Sequence, residues 1–357
     1  PIPFDSFTDP EARLRRRSTD LLVHPDQMQN LRLRTAVIKA LRARLDAEGF
    51  LEVETPILHT VHGGASARPF RTYINAYGED LTLRIAPELY LKRLVVGGSG
   101  PVYELGRDFR NEGADATHNP EFTVLEAYRP YADYVQMREL TERLIKDAAQ
   151  AVFGSVSLPL GRKASSERVV RDVSGPWRVV SVCDALSEAL GRRVDVQTDF
   201  EELLALAQQH GVRVHEGMGP GAIVEELYGE LVEAHTVEPT FYTDFPAETS
   251  PLAAPHRSVP GLAERWDLVI NGMEMGCAYS ELADPLVQRE RLTEQSLKAA
   301  SGDLEAMEVD EDFLYALETG MPPTGGLGLG VDRLVMLLAQ TQIRGVLSFP
   351  FVKPERS

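Results

Sequence analysis

The pair Asn271-Gly272 constrains the fold of this chain more than any other short feature. Asn-Gly favours the two-residue hairpin turn, because both central residues of that turn need a positive φ. Apolar side chains dominate the flanking runs, residues 266–270 and 273–279, which predict two paired strands. We therefore expect an antiparallel sheet in this part of the chain.

Helix and strand patterns elsewhere extend this prediction. Apolar residues recur every four positions along residues 28–48 and predict an amphipathic helix that Gly49 ends. The stripe consists of Leu33, Val37, Leu41 and Leu45. Further strands are predicted over residues 50–56, 81–85, 101–110 and 121–129, and further helices over 87–94, 135–153, 285–319 and 331–338. Strands mixed with helices in this way predict an α+β fold whose sheet is mainly antiparallel.

Residues 155–238 differ in character and predict a helical insertion. Thr198 and Glu201 have the spacing of a capping box, and Gly211 would end the helix that they begin. Pro220 would begin another helix, since proline suits the first helical turn.

Composition limits the functional classes. The chain has 357 residues with 43% hydrophobic side chains, which suffices for a large core, and its net charge is −17. This acidic balance argues against binding nucleic acid by bulk charge. The basic run Arg13, Arg15, Arg16 and Arg17 is either a solvated helix face or a local phosphate contact. Two cysteines and no long apolar run indicate a reducing, cytoplasmic setting.

The densest chemistry lies between two predicted strands, in residues 106–122. Alternation along the second strand places Phe122, Val124, Glu126 and Tyr128 on one face. A face with Glu and Tyr suits a ligand better than a core. Arg110 offers a planar donor fork for a phosphate or carboxylate, although a salt-bridged hairpin is the plain alternative.

Two carboxylates on the Asn-Gly hairpin form a second group. A two-residue loop pairs Val269 with Glu274, so Asp267 and Glu274 point to the same face. Like charges there repel unless a cation such as Mg²⁺ lies between them, although the pair also fits an exposed acidic hairpin. Strict alternation sends Glu281 to the opposite face, and a bulge near Gly276 would bring it back.

The third group is the glycine run at residues 325–330, followed by Asp332 and Arg333. It is not a dinucleotide-binding fingerprint, because no βαβ unit follows. Its glycines would let the backbone approach a flat ligand on which Arg333 stacks. Glu88, at the start of a predicted helix, is by itself an ordinary partner for the helix dipole.

Together these residues resemble the class II aminoacyl-tRNA synthetases, and within them the lysyl enzymes. The helix and strand ending at Pro56 resemble motif one, residues 109–122 motif two and residues 328–333 motif three. Residues 85–93 and 118–123 are the parts similar to the lysyl family. The three motifs occur in the family's order over about 330 residues of the chain. The resemblance implies an antiparallel sheet flanked by helices, with a helical insertion.

The resemblance also implies an activity and its residues. The chain would activate L-lysine with ATP to lysyl-adenylate and transfer lysine to the 3′ end of tRNA(Lys). Lysine would be bound by Gly64, Glu88, Glu126, Tyr128, Tyr279 and Glu281. Glu88 and Glu281 would hold the ε-ammonium, and Glu126 the α-amino group. ATP would be bound by Arg110, Glu112, His118, Phe122, Gly330 and Arg333, with Arg110 and Arg333 catalytic and with Mg²⁺ on Asp267 and Glu274.

The family pattern further implies the organisation of the chain. Residues 28–56 would form a homodimer, and residues 26–357 would be one catalytic domain with its insertion at about 155–238. Residues 1–25, which begin without Met, would be the linker that follows an anticodon-binding domain missing here, and their arginines a remaining tRNA contact. Cys277 stands where the lysyl family usually has Asn, a departure that would weaken a ligand contact or mark a paralogue.

Three further interpretations stay open. Residues 280–285 and 321–326 look most like bifunctional proteins in which the synthetase follows a membrane lysylphosphatidylglycerol synthase. This chain would then make no membrane contact itself and would supply lysyl-tRNA for lysylphosphatidylglycerol. A stand-alone paralogue that lysylates a protein such as elongation factor P is the second interpretation. A catalytically silent scaffold dimer is the third.

Overall fold

A computed structural model describes residues 7–161, 168–215, 217–300, 302 and 305–354. Its helices are α1 (Pro10–Arg15), α2 (Arg17–Val23), α3 (Pro25–Ala47), α4 (Glu88–Val96), α5 (Tyr134–Phe153), α6 (Val182–Leu190), α7 (Phe200–His210), α8 (Pro220–Leu231), α9 (Pro285–Ala300), α10 (Glu311–Gly320), α11 (Val331–Ala339) and α12 (Ile343–Val346). Its strands are β1 (Leu51–Glu52), β2 (Leu58–His59), β3 (Arg71–Ile74), β4 (Glu79–Leu83), β5 (Val102–Phe109), β6 (Glu121–Pro130), β7 (Ser157–Leu160), β8 (Val169–Asp172), β9 (Arg178–Ser181), β10 (Thr240–Thr243), β11 (Arg265–Ile270), β12 (Met273–Ser280) and β13 (Thr324–Gly330).

An eight-stranded sheet with the order β1-β5-β6-β13-β12-β11-β10-β9 organises the fold. Its five central pairings, from β5 to β10, are antiparallel, whereas both edge strands pair in parallel. The alternation along β6 buries Leu125 and Ala127 in the core on one side. The predicted α+β fold with a mainly antiparallel sheet flanked by helices is confirmed.

The Asn-Gly hairpin forms as predicted and contains the bulge. Asn271 and Gly272 have φ values of 55° and 67°. Leu268 pairs with Gly276 while Val269 pairs with Glu274, so the residue between them on β12, Met275, has no partner. This extra residue shifts the in-and-out alternation of side chains along β12 by one position. Glu274, before the bulge, therefore points to the same side of the sheet as Cys277, Tyr279 and Glu281 after it.

The long helix α3 also matches its prediction. Val37, Leu41 and Leu45 are completely buried. The strand expected over residues 50–56 is shorter, since only Leu51–Glu52 pairs with β5. Beyond this strand, the backbone N–H of Thr55 donates to the side chain of Glu104 at 3.1 Å. A carboxylate thus accepts the hydrogen bond that a backbone oxygen of β5 would accept if the strand continued.

The segment predicted as a helical insertion also contains strands. β7 and β8 pair with each other, and β9 extends the main sheet by pairing with β10. Helices α6, α7 and α8 pack around a separate apolar cluster. The predicted capping box does not form: Asp199 is the N-cap of α7, although Gly211 ends that helix in the left-handed conformation as predicted. Residues 162–167 and 216 lie outside the described residues.

The described part of the predicted linker, residues 7–25, contains α1 and α2 and packs on the C-terminal part of the chain. Arg17 is buried, pairs with Asp20 and donates to the backbone oxygens of Leu347 and Ser348. It is therefore not available to a phosphate, which corrects the prediction for this arginine. Residues 1–6 lie outside the described residues, and none of the described helices is long and apolar enough to span a membrane.

Candidate active site

A cavity of about 460 Å³ opens beside the central strands β6, β13 and β12. Its volume is typical of a small-molecule site. The predicted residues in its wall are Gly64, Glu88, Arg110, Glu112, His118, Phe122, Glu126, Tyr128, Glu274, Tyr279, Glu281, Gly330 and Arg333. Asp267 is the predicted site residue that does not line it. The fold thus brings together positions from five separate parts of the chain.

Three buried carboxylates form one end of this wall. Glu88 begins α4, Glu126 lies in the middle of β6 and Glu281 follows β12, with exposed fractions of 5%, 8% and 4%. Burial raises the pKa of each of the three carboxyl groups, because charge is poorly solvated there. The hydroxyl of Tyr128 donates to Glu126 at 3.0 Å. This end of the cavity therefore favours a cationic ligand.

The ammonium group of Lys92 lies behind two of these carboxylates. Its Nζ is 2.6 Å from Glu88 Oε1 and forms a second ion pair with Glu281 Oε2. Lys92 is completely buried and does not line the cavity. Sequence reasoning missed this residue, although its position four residues after Glu88 on one helix would have indicated the pair.

Glycines make room for the carboxylates. Gly64 has a φ of +89°, and a Cβ there would meet the Cβ atoms of Ala86 and Glu88 at 3.2 Å. A Cβ on Gly326 would overlap Glu281 Oε1 and the ring of Tyr128. The glycine-rich strand β13 therefore lets the floor of the cavity approach its acidic wall closely.

Asp108 on β5 is a fourth acidic residue at this end of the cavity, close enough to act on the charge of Glu126, and sequence reasoning missed it. It is completely buried, and Arg84 Nε lies 3.1 Å from its Oδ1. That N–H is directed to the backbone oxygen of Arg107 instead, so neither oxygen of Asp108 accepts a hydrogen bond in the described residues. Arg84 also forms an ion pair with Glu104 at 2.6 Å, so Asp108 and Glu104 share one guanidinium group.

The other end of the cavity carries arginines and an aromatic ring. Arg110 Cζ lies 5.1 Å from the centre of the Phe122 ring, and its buried Nε has no hydrogen-bond partner in the described residues. Arg333 donates to the backbone oxygen of Glu274 at 2.7 Å. These groups suit an anion next to a flat ring system.

Buried Asp332 holds this end of the cavity together. It accepts from the backbone N–H of Thr123 at 2.8 Å and forms an ion pair with Arg34 of α3. Glu112 and His118 lie on the exposed loop between β5 and β6, where His118 pairs with Asp115 at 2.9 Å. The loop supplies polar groups to the open side of the cavity.

Comparison with known proteins gives the family. The family model of tRNA synthetases class II (D, K and N) matches residues 9–353. The chain belongs to this family.

The curated relatives are longer proteins. The chain is 56% identical over 357 residues to the lysylphosphatidylglycerol biosynthesis bifunctional protein LysX of Nocardia farcinica (strain IFM 10152), covering 99% of this chain and 32% of that protein. It is also 56% identical to the proteins of that name from Mycolicibacterium gilvum (strain PYR-GCK), over 356 residues, and Mycobacterium marinum (strain ATCC BAA-535 / M), over 358 residues, with the same two shares. The synthetase chain thus spans about a third of the length of these relatives.

Of the two carboxylates predicted to bind Mg²⁺, Asp267 and Glu274, Asp267 is already paired with an arginine. Arg265 donates to both oxygens of Asp267, at 3.1 and 2.8 Å, and is itself held by Glu225 of α8. Burial raises the pKa of Asp267 to about 7 despite Arg265, and the nearby charge of Glu274 adds to the rise. Among the described residues no group of three or more His, Cys, Asp or Glu side chains is arranged for a metal ion. The two carboxylates fit Mg²⁺ chemically, with Arg265 as the competitor for Asp267.

Cys277 of the synthetase lies in the cavity wall beside Tyr279, with 3.6 Å between Sγ and the hydroxyl oxygen. Burial raises the pKa of the Cys277 thiol, so it stays protonated at neutral pH. It is therefore a small, weakly polar wall residue and not a nucleophile.

Proposed function

We propose that this synthetase activates L-lysine with ATP to lysyl-adenylate and transfers lysine to the 3′ end of tRNA(Lys). The charge of the acidic end of the cavity carries this proposal. Lys92 forms ion pairs with Glu88 and Glu281, and Glu126 forms no ion pair with a lysine or arginine among the described residues, so three buried carboxyl groups face a single internal ammonium. Lysine brings two ammonium groups, and its own carboxylate suits Arg110.

The charge of this wall also discriminates among aspartate, lysine and asparagine, the amino acids denoted by D, K and N in the family's description. Aspartate would place a third carboxylate, and asparagine a neutral amide, against buried Glu126 and Glu281. A buried charge without a partner costs several kcal/mol. Both residues are less than a tenth exposed, so solvent screens such a mismatch poorly.

The arginines and Phe122 support the reaction with ATP. Arg110 would bind the α-phosphate through its unpartnered guanidinium, and Phe122 and Arg333 would enclose the adenine ring. Glu112, His118 and Gly330 would contact ATP from the loop and from the end of β13. The lysine carboxylate then attacks the α-phosphorus in line and pyrophosphate leaves. Positioning and charge neutralisation account for such a step, and no protein nucleophile is needed.

Glu274 and Asp267 would hold Mg²⁺ together with the ATP phosphates, once Arg265 releases Asp267. A bound Mg²⁺ would supply charge neutralisation of the phosphates. The chain's own contribution is to keep Glu274 next to Arg333, whose Nη1 lies 3.5 Å from Glu274 Oε2.

A homodimer through residues 28–56 remains part of the proposal. Leu51 is 54% exposed next to α3, and Ile57 and Leu58, just beyond the predicted element, are 44% and 49% exposed. Exposed apolar side chains in this part of the chain are compatible with a protein interface.

The relatives are named for lysylphosphatidylglycerol biosynthesis, which favours a specific use of the product. Lysyl-tRNA made by this chain would supply that synthesis, and the reaction would take place in the cytoplasm, where ATP and tRNA are present. Transfer to a protein is the competing outcome.

Pyrophosphate exchange tests the first half of the reaction. Purified chain is incubated with ATP, labelled pyrophosphate and each amino acid in turn, and we expect exchange to depend on lysine. Labelled lysine is then offered with tRNA or with cell protein, and we expect the label in tRNA. Robust exchange with a different amino acid, and none with lysine, would overturn the proposal.

A further inference from the structure

Lys92 connects two parts of the fold through the acidic wall of the cavity. Its Nζ contacts Glu88 from its own helix α4 and Glu281 from the chain that follows β12. The ring of Phe313 on α10 covers it at 6.0 Å from Nζ to the ring centre. No other described acidic side chain forms an ion pair with this ammonium.

The two carboxylates need a cation between them. Both are buried, and two buried carboxyl groups side by side would share a proton if no cation lay next to them. Burial disfavours the ammonium as well, but the attraction of Glu281 and Glu88 outweighs this and raises the pKa of Lys92. The ammonium is therefore permanently charged at physiological pH.

The contacts leave part of each carboxylate for a ligand. Lys92 approaches Glu88 through Oε1 and Glu281 through Oε2, and it stays outside the cavity wall to which both carboxylates belong. Glu281 Oε1 has no hydrogen-bond partner among the described residues and lies directly above Gly326 in the cavity floor.

We propose that Lys92 is a positioning residue for the amino-acid substrate. Its ammonium holds Glu88 and Glu281 charged and at a fixed separation, with their remaining oxygens turned to the cavity. The wall then presents a rigid carboxylate pair to an incoming ammonium group. This inference rests on the proposed function, because it assumes that the ligand of this wall is a cationic amino acid.

The test is Lys92→Met, which keeps all but the last atom of the unbranched side chain and removes its charge. Pyrophosphate exchange is measured over a range of lysine concentrations at saturating ATP, and over a range of ATP at saturating lysine. We expect the KM for lysine to rise by at least about 30-fold, as for loss of a partner of a buried charge pair. We expect the KM for ATP to change by less than about twofold, because no ATP-binding residue contacts Lys92.

Lys146→Met is the matched control. Lys146 also pairs with a glutamate four residues earlier, Glu142 at 2.6 Å, but it lies on α5 outside the cavity. We expect both KM values of this variant to equal those of the unmodified chain. A Lys92→Met variant with an unchanged KM for lysine, or with equal rises for lysine and ATP, overturns the inference.

A double variant covers the case in which Lys92→Met does not fold. Lys92→Met with Glu88→Gln removes one charge of each sign and leaves the net charge of the wall unchanged. Folding of the double variant, judged by circular dichroism, supports charge neutralisation as the role of Lys92, whereas its failure to fold indicates a packing role and overturns the inference. Absence of lysine-dependent exchange in the unmodified chain would instead refute the proposed function.

Discussion

Glu126 offers the sharpest test of the acidic wall, because one substitution should change stability and ligand binding in opposite directions. Its side chain is 8% exposed and accepts a hydrogen bond from Tyr128. No described lysine or arginine forms an ion pair with it. Burial raises the pKa of Glu126 well above its usual range, and the charges of Asp108 and Glu88 add to the rise. Glu126→Gln keeps the shape and removes the charge.

The free energy of unfolding of the free protein should increase. A carboxyl group whose pKa is higher in the folded than in the unfolded state stabilises the fold below the unfolded value, about 4.3, and loses this contribution as the pH rises through the folded value. Between the unfolded pKa of about 4.3 and pH 7 there are about 2.7 pH units, so the free energy of unfolding falls by at most about 3.7 kcal/mol at pH 7. We therefore expect Glu126→Gln to gain of order 1–4 kcal/mol at pH 7 and to remove part of the decrease in stability above pH 4.

Lysine binding should weaken at the same time. Removing one partner of a buried charge pair costs about 2–5 kcal/mol. This corresponds to a loss of affinity of about 30-fold to several thousandfold.

Thermal unfolding with and without lysine, at pH 5 and pH 7, measures both effects. Glu121→Gln is the control, since Glu121 lies on the same strand and is 53% exposed. Among the described residues its side chain forms an ion pair only with Arg107, at 3.7 Å. We expect the control to match the unmodified chain. A Glu126→Gln variant that is less stable at pH 7, or that binds lysine as tightly as before, would refute the reasoning.

Three further predictions concern other parts of the cavity. Gly326→Ala should reduce lysine-dependent exchange at least tenfold, because the new Cβ would displace Glu281, and titration of bound lysine checks this. Arg110→Ala should lower kcat for exchange by about 10²-fold or more, since a charged donor to the phosphate is lost next to Phe122, while circular dichroism stays unchanged. Glu274→Gln should raise the Mg²⁺ concentration needed for half-maximal exchange several-fold, and an unshifted Mg²⁺ titration would contradict the metal assignment.

Local sequence patterns determined much of the fold. Asn271-Gly272 specified the hairpin and its register, because few residue pairs tolerate two consecutive positive φ values. The stripe along α3 and the alternation along β6 placed their apolar residues in the core as predicted. Motif residues from distant parts of the chain also converge on one cavity, as the family resemblance implies.

Other features depended on contacts that no local pattern contains. The bulge at Met275 turns Glu281 to the cavity, and it arises from pairing across β11 and β12. The sequence predicted that such a bulge was needed and did not predict that it forms. In the segment around β9, pairing with β10 produced a strand where helices were expected, because an edge of the sheet was available.

By itself, the sequence determined the hairpin, the core faces and the residue types of the site, since these follow from backbone preferences and from periodicity along neighbouring positions. The tertiary structure alone decided which charges pair beyond the local pair of Glu88 and Lys92. Lys92 reaches Glu281 across 189 positions of the chain, and Arg265 occupies both oxygens of Asp267. A buried charge takes whichever opposite charge the fold brings near it, and only three-dimensional packing sets that proximity.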